Sequence, residues 1–362
     1  MIKVAYFVNS FNVINWGGQA TSNGIKYQVN KFYADAIFKP IILPVPGYIF
    51  RKIKIFRKFF EIRLYNAMMQ GNEQKIHFAL KSYFIEEDFF DGFSHICFNG
   101  EGAIRSGSGH IVFYLGLLYK AKLEGRYVAA FNQTIDLRES EKLAKLVEKV
   151  YNMVDFVGAR EPLSYEHGKS IGIKGLQLIP DAVYGLPVMS EDDINKRVNS
   201  YNLPKKYVTF AGSSALKRDN KSLKKVANIL EIVDKKFNLP ILFLANAKTD
   251  IWLAHQLQSK YTFTIVEPPV KYEDAMAIIA KSEILIGGRQ HPNIFAFIYK
   301  TKYVPFIGNS FKNAGVAKLQ DYPLEPLLWE CTEDELLKNI DFIVAKDEIF
   351  KDIKIETFKA LG

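Results

Sequence analysis

The chain has 362 residues, a length that predicts two domains of roughly 150 to 200 residues each. Hydrophobic residues make up 48% and charged residues 24%, as in soluble globular proteins, and no apolar run approaches the roughly 18 residues of a membrane span. Cys97 and Cys331 lie too far apart for a metal-binding or redox motif, which favours a reduced, cytoplasmic compartment. The net charge of +9 favours acidic partners.

Part of this charge lies in the segment 51–63, RKIKIFRKFFEIR, where basic residues are interleaved with Ile and Phe. In a helix the apolar residues share one broad face that the basic residues surround, a pattern typical of a helix on an anionic membrane surface. A helix that faces the protein core with a solvated basic back gives the same pattern, and both interpretations stay open. Nucleic acid is not an expected partner, because no nucleic-acid module accompanies the charge.

Short apolar runs alternate with helical patterns along the chain. The first strand is predicted at 2–8, and the clearest helix at 139–154, where Leu and Val recur at helical spacing. A second series of strands and helices begins near residue 205. This alternation predicts mostly parallel sheets covered by helices.

The predicted division has four parts. Residues 1–185 form a Rossmann-like N-terminal domain, 186–204 a polar linker, 205–330 a Rossmann-like C-terminal domain, and 331–362 a helical segment that packs back across the domains. The predicted fold class is therefore α/β, with two doubly wound domains facing a cleft, as in the glycosyltransferase B (GT-B) fold. Such sheets bind ligands at the carboxyl ends of their strands, but the layout does not name a reaction.

The stretch GGRQHP at 287–292 lies where the apolar run 284–286 gives way to an apolar helix. Pro292 suits a helix start, and the free N–H groups and positive dipole of that start attract an anion. Arg289 has a planar guanidinium suited to phosphate or carboxylate, and His291 can donate a proton. We therefore expect an anion-binding turn; the alternative is a structural turn in which Arg289 pairs with a nearby acid.

Three further features accompany this turn. After the apolar helix comes a short strand with proline and then a polar turn, Asn309-Ser310-Phe311-Lys312. The stretch 158–184 has an Arg-acid pair and a serine before a helix and ends in Pro180-Asp181, and a glycine-rich stretch, NGEGAIRSGSG, lies at 99–109. In order and spacing these features resemble the polysaccharide pyruvyl transferase family over most of the chain.

Two positions depart from the pattern of that family. The family has an Asn-x-Gly-Asp near its first helix, whereas this chain has NWGGQATSNG at 15–24, with Gly18 in place of the acid. Glu101 interrupts the usual triple glycine. Both changes bear on the acceptor site and on the choice of donor.

The resemblance implies pyruvyl transfer from phosphoenolpyruvate to a sugar diol, with no metal or other cofactor. Protonation of the enol methylene makes the neighbouring carbon electrophilic, a sugar hydroxyl attacks it, phosphate leaves, and a second hydroxyl closes the ketal. His291 is the expected proton donor, and the base is left open among Asp181, Glu101 and Glu161. The residues expected to bind the donor are Gly287, Gly288, Arg289, Asn309, Ser310 and Lys312. The residues expected to bind the acceptor are Trp16, Gly17, Gly18, Asn99, Arg160 and Glu161.

Two other functions fit the same residues. A GT-B glycosyltransferase would hold the phosphates of a nucleotide-sugar donor at the same helix start, and a carbohydrate-binding protein without activity is the lesser alternative. For either enzyme the expected partner is a carbohydrate acceptor, a bacterial surface polysaccharide or its lipid-linked precursor. We therefore expect a cytoplasmic protein with peripheral contact to the inner face of the plasma membrane. The sequence leaves the acceptor sugar and the oligomeric state open.

Overall fold

The computed structural model of the chain describes residues 2–8, 10–43, 54–268 and 270–353. These residues form two compact units, each with its own hydrophobic core. Unit 1 contains the first strand and residues 25–182, and unit 2 contains the segment 10–24 and the described residues from 183 onward.

Unit 1 is built on a six-stranded sheet in which all neighbouring strands are parallel, in the order β2-β1-β3-β4-β5-β6. Its strands are β1 (Lys3–Phe7), β2 (Ile37–Pro40), β3 (His95–Arg105), β4 (Tyr127–Asp136), β5 (Phe156–Ala159) and β6 (Leu176–Leu178). Helix α1 (Trp16–Phe32) follows β1, and the division between the units falls within it, after Gly24. The other helices are α2 (Lys54–Gln70), α3 (Glu73–Lys81), α4 (Ile111–Leu123), α5 (Glu141–Tyr151) and α6 (Pro162–Ser170).

Unit 2 has a five-stranded parallel sheet in the order β11-β10-β7-β8-β9. Its strands are β7 (Val208–Ser213), β8 (Ile241–Leu244), β9 (Thr264–Val266), β10 (Ile284–Gly288) and β11 (Tyr303–Pro305). Its helices are α7 (Glu191–Asn199), α8 (Asn220–Phe237), α9 (Lys248–Gln258), α10 (Tyr272–Ala280), α11 (Gln290–Ile298), α12 (Lys312–Leu319) and α13 (Glu333–Val344). Strands β7, β8 and β10 are buried along their whole length, as expected of parallel strands covered on both faces.

Two segments differ from the predicted division of the chain into domains and linker. The predicted linker, 186–204, contains α7, which Ser190 caps by accepting the backbone N–H of Asp193. Arg197 of this helix bonds the carboxylate of Asp274 on α10 at 2.6 Å. This helix was not predicted, because Ile194 is its only buried residue and a single apolar position gives no helical periodicity. The segment 10–24, predicted within the N-terminal domain, belongs to unit 2.

The C-terminal helix α13 also belongs to unit 2, where it packs on α8 and β11. It begins with a capping box, in which Thr332 and Glu335 each bond the backbone N–H of the other. The segment 331–362 was predicted to pack back across the domains, and its last nine residues lie outside the described ranges. Across the described helices, none has the length and apolar character needed to cross a bilayer.

Candidate functional site

The two glycines at the end of β10 are explained by close packing of strands. The pairing of β10 with β7 shifts register between Gly287 and Gly288. A Cβ on Gly287 would lie 2.8 Å from the carbonyl carbon of Ala211, and one on Gly288 would lie 2.7 Å from the Cβ of Ser213. Neither position therefore has room for a side chain, with or without a ligand at the turn.

The guanidinium of Arg289, directly after these glycines, pairs with a buried acid. Its Nε and Nη2 donate to the two carboxylate oxygens of Asp250 at 3.1 and 2.8 Å. Asp250 lies on α9, is fully buried, and also accepts the backbone N–H of Asn246. The structure thus has the ion pair that was the alternative interpretation of this turn. The pair balances the charge of Arg289 and leaves its Nη1 donors to other partners.

His291 lies in the first turn of α11 and contacts the first turns of α1, both within unit 2. Its Nε2 is 2.9 Å from the hydroxyl oxygen of Thr21, which is fully buried. A Cβ on Gly17 would lie 2.7 Å from Cγ of the imidazole, so only glycine leaves room for this ring. Gly17 and Thr21 therefore define the position of His291.

Trp16 was expected to bind the acceptor, and in this structure its indole packs inside unit 2. The indole is fully buried, lies 5.4 Å from the ring of Phe295, and donates its N–H to the carbonyl of Ala245. It therefore offers no ring face to a sugar. Gly18, expected beside it, is buried and donates its N–H to the side chain of Asn15, which caps α1.

The polar turn after β11 is tied to the end of β7. Asn309 and Ser214 exchange two hydrogen bonds, both of 3.1 Å, and the hydroxyl of Ser310 accepts the backbone N–H of Lys312. Lys312 begins α12, and its Cε would lie 3.2 Å from a Cβ on Gly308. The donor residues predicted from the sequence are thus gathered at the carboxyl edge of the unit 2 sheet.

Two of the buried amide atoms that lack hydrogen-bond partners among the described residues belong to side chains just after β8 and β10. The Nε2 of Gln290, the first residue of α11, is one, and Gln290 is 4% exposed. The Oδ1 of Asn246, after β8, is the other. Buried polar atoms without partners are uncommon and point to a ligand or to ordered water. Neither residue was predicted as a site residue, although each directly follows an apolar strand or its turn.

At the carboxyl edge of the unit 1 sheet, Arg160 and Asp181 form a buried ion pair. The Nη1 of Arg160 lies 3.0 Å from Oδ2 of Asp181, with side chains only 2% and 1% exposed. The Nε of Arg160 donates to the hydroxyl of Thr134. Because it is buried, the guanidinium of Arg160 is not on an accessible surface in this structure. The pairing likewise removes Asp181 from the accessible bases.

Glu161, the next residue, caps the start of α6. Its carboxylate accepts the backbone N–H of Ser164 at 3.1 and 3.2 Å and also the hydroxyl of Ser164. Burial raises the pKa of Glu161 to about 7, although the bonds from Ser164 and the charge of Arg160 oppose the rise. Glu161 is fully buried, so it does not reach an acceptor from this position.

Glu101 and Asn132 lie where β3 and β4 leave regular register. Both have positive φ angles, 40° and 58°, next to register shifts in the sheet. The Nδ2 of Asn99 donates to the carboxylate of Glu101 at 3.0 Å, and the Oδ1 of Asn132 accepts the backbone N–H of Ala182. Within the described ranges, Oδ1 of Asn99 and Nδ2 of Asn132 are buried without partners. Bulges with such strain cluster at functional sites.

Glu101 differs from the other two acids because its side chain is only partly buried. Burial and the charge of Glu101 together raise the pKa of Tyr114, so the carboxylate lies near that phenol. Over the described part of the chain, no group of three or more His, Cys, Asp or Glu residues is arranged to hold a metal ion.

The basic segment 51–63 is described in part. Residues 51–53 and the side chains of 54–57 lie outside the description. Phe60 packs edge-on against Tyr83, whereas Phe59 and Ile62 are 57% and 42% exposed. Within the described part of the segment, Phe60 packs on the core while Phe59 and Ile62 lie in solvent, and further along α2 the side chains of Leu64, Ala67 and Met68 are buried in the unit 1 core.

Comparisons with known proteins agree with this architecture. A family model described as polysaccharide pyruvyl transferase matches residues 27–310. The solved UDP-GlcNAc 2-epimerase of Methanocaldococcus jannaschii, in complex with UDP-GlcNAc and UDP, has a TM-score of 0.61 and 14% identity, covering 99% of this chain and 97% of that one. The Rickettsia bellii UDP-N-acetylglucosamine 2-epimerase has a TM-score of 0.60 and 12% identity, and the match covers 96% of this chain and 89% of that one. A search of curated proteins gives no significant match. At these identities the likeness concerns the fold alone, and it confirms the predicted GT-B-like α/β class.

Proposed function

Because the chain belongs to the polysaccharide pyruvyl transferase family and is therefore a transferase, we propose that phosphoenolpyruvate is its donor and a sugar diol its acceptor. The product is a pyruvate ketal on a bacterial surface polysaccharide or its lipid-linked precursor. The observation that carries this proposal is His291, held beside Thr21 at the start of α11, where Nε2 of the Gln290 amide has no partner within the described ranges.

The donor carries a phosphate and a carboxylate, and unit 2 offers groups for both. The N-terminus of α11 and the Nε2 of Gln290 supply N–H donors, and the Nη1 of Arg289 supplies two more. Asp250 balances the charge of Arg289, and Lys312, at the start of α12, brings a second cation to this edge. We therefore expect Lys312 to contribute to donor affinity.

The proton chemistry needs one donor and one base. His291 protonates the methylene carbon, the π electrons form the new C–H bond, and a sugar hydroxyl adds to the adjacent carbon. Addition of the second hydroxyl expels phosphate, so one donor and one diol give one ketal and one phosphate. Of the three carboxylates named from the sequence, Asp181 is paired with Arg160, Glu161 caps a helix, and Glu101 accepts the amide of Asn99.

The exposed Phe59 and Ile62, next to Lys58 and Arg63, support a peripheral contact with anionic lipid. A lipid-linked acceptor places such a contact at the inner face of the plasma membrane. We therefore propose a cytoplasmic enzyme that docks through this part of α2.

Thermal denaturation with added ligands tests the donor. A ligand that binds only the folded state stabilises it by about 2.7 kcal/mol at 100 times its Kd, which raises the melting temperature. We expect phosphoenolpyruvate to raise it and UDP, CMP and GDP to leave it unchanged. Lys312→Met should abolish the rise, whereas Lys318→Met, an exposed position on the same helix, should retain it. A rise with a nucleotide and none with phosphoenolpyruvate would indicate a nucleotide-sugar glycosyltransferase instead.

A further inference from the structure

Two buried amide groups on β3 and β4 of unit 1 are each bonded at one end only. The Nδ2 of Asn99 donates to the carboxylate of Glu101 at 3.0 Å, and the Oδ1 of Asn132 accepts the backbone N–H of Ala182 at 3.2 Å. An ionised carboxylate only accepts and a backbone N–H only donates, so these bonds fix the direction of each amide. Within the described ranges, the Oδ1 of Asn99 is therefore a buried acceptor without a partner, and the Nδ2 of Asn132 is a buried donor without one.

The two amides lie on neighbouring strands of the sheet. Asn99 pairs in register with Phe131, the residue before Asn132, so the Cα atoms of the two asparagines lie within roughly 9 Å of each other. Asn99 is fully buried and Asn132 is 5% exposed. Asn132 also has a φ of 58° next to a register shift of β4, a conformation that costs free energy. A buried acceptor and a buried donor at a strained position point to a bound polar group.

Space for a ligand lies beside these amides, at Gly102. A Cβ built on Gly102 meets no atom of the described residues within 4 Å, and its φ is not in the left-handed region. Gly102 and its neighbour Glu101 are both partly exposed. Neither packing nor backbone conformation therefore requires glycine here, in contrast with Gly287 and Gly288, and its absent side chain leaves room that is open to solvent.

We propose that Asn99, Asn132 and the space at Gly102 form a subsite for the hydroxyl groups of an uncharged pyranose, which is the acceptor sugar. The word acceptor rests on the proposed function, whereas the uncharged hydroxyls follow from the two amides. A hydroxyl donates one proton and accepts through its lone pairs, so a sugar diol serves the Oδ1 of Asn99 and the Nδ2 of Asn132 at once. A carboxylate or a phosphate dianion only accepts, so it would leave the Oδ1 of Asn99 unpaired. It would also be repelled by the charge of Glu101.

An ordered water molecule offers the same hydrogen bonds as a sugar hydroxyl, and the space at Gly102 distinguishes the two. A water molecule between the amides does not need that space, whereas a pyranose ring does. The test therefore changes the amide and the space in separate variants.

Saturation-transfer NMR of the full chain tests the subsite without phosphoenolpyruvate. The probes are the methyl pyranosides of glucose, galactose and mannose, each compared with its own uronide. We expect at least one uncharged probe to receive saturation and its uronide to receive none. Binding of none of the three uncharged probes, or equal binding of a sugar and its uronide, would overturn the proposal.

Two variants locate the bound sugar. Asn132→Gly suits the positive φ and removes the amide, so it should weaken binding about threefold to tenfold, the contribution of a neutral hydrogen bond. Gly102→Val fills the space and keeps both amides, so it should abolish binding. The matched control is Gly175→Val, because Gly175 also has open space around it and no left-handed φ, but precedes β6 at the amino edge of the sheet. It should bind as the unaltered protein does. Full binding in Gly102→Val would show that the sugar binds elsewhere and that the amides hold ordered water only.

Phosphate release from phosphoenolpyruvate, with the bound sugar as acceptor, separates the subsite from the proposed reaction. Gly102→Val should raise the KM for the sugar and leave the KM for phosphoenolpyruvate unchanged. If no phosphate is released while the sugar binds as expected, the proposed reaction is wrong and the sugar subsite stands. If phosphate is released and the KM for the sugar is the same in Gly102→Val, the proposed reaction stands and the subsite is wrong.

Discussion

The carboxyl edges of the two sheets hold their polar residues in different ways. In unit 2 the backbones of β7 and β10 approach so closely that Gly287 and Gly288 are required, and the charged side chain beside them is paired with Asp250. In unit 1 the strands β3 and β4 leave regular register, and Glu101 and Asn132 adopt positive φ angles. One edge is organised by close packing, and the other by backbone strain.

This difference separates features that packing explains from features that it does not. The glycines of unit 2 need no ligand to account for them, because a Cβ at either position overlaps the neighbouring strand. The residues of unit 1 with positive φ cost free energy, about 1 to 3 kcal/mol each, and hydrogen bonds from Asn99 to Glu101 and from Ala182 to Asn132 hold them. Because such strain clusters at functional sites, Glu101 and Asn132 are a stronger sign of function than the glycine pair at 287–288.

The buried ion pairs give the largest expected effects and the first test of this comparison. Asp181→Ala leaves the guanidinium of Arg160 buried without its carboxylate, which should destabilise the protein by about 3 to 5 kcal/mol. Asp250→Ala should cost less, because the side chain of Arg289 is 13% exposed and can turn towards water. Urea unfolding of both variants measures the difference.

The control for both substitutions is Glu141→Ala, which breaks the exposed pair with Lys145. Exposed pairs of this kind contribute little, so we expect no measurable change in the midpoint. Equal losses from Asp181→Ala and Asp250→Ala would show that the two edges tolerate a buried arginine equally well.

The sequence predicted the parts of both edges that depend on local pattern. Apolar runs followed by helical spacing placed the end of β10 and the start of α11, and with them Arg289 and His291. The strand-helix alternation also gave the α/β class, because buried parallel strands are apolar without interruption. Family resemblance pointed to Lys312, which begins α12, and to Glu101, which lies inside β3 at its register shift.

The partners of the site residues could not be predicted, because they depend on contacts between residues far apart in the sequence. Asp250 is 39 residues from Arg289, and Thr21 is 270 residues from His291, so no local pattern connects them. Trp16 was expected at a sugar, but burial among aromatic side chains decided its place. The positive φ of Asn132 follows from the bulge in β4, which sequence periodicity does not show.

Glu161 provides a pH test at the unit 1 edge, with a smaller effect than the ion pair. Its folded pKa of about 7 lies above the ordinary value of 4.5, so between these values the folded state binds more protons than the unfolded state. The contribution of Glu161 to stability is therefore full below pH 4.5 and is lost as the pH rises through 7, by up to about 3 kcal/mol. Glu161→Gln should flatten the pH dependence of the free energy of unfolding between pH 5 and 8. The exposed Glu166→Gln, on the same helix, should leave it unchanged, and an unaltered slope in Glu161→Gln would contradict the assignment.

Substitutions at two asparagines with positive φ have the smallest expected effect and measure the cost of that backbone conformation. Asn132 and Asn238 both have positive φ, 58° and 48°, but Asn132 lies in a bulge of unit 1 and Asn238 ends helix α8 in unit 2. At each position the difference between the Ala and Gly variants reports the cost of the left-handed backbone, about 1 to 2 kcal/mol, because both lack the amide. We expect that difference to be similar at the two positions, since it depends on the conformation and not on its surroundings. Turnover should separate them: Asn132→Gly keeps the backbone but removes the buried amide, so it should lower activity, whereas Asn238→Gly should not. Full activity in Asn132→Gly would show that the bulge of β4 has only a structural role. The positive φ of Asn132 would then not indicate a functional site.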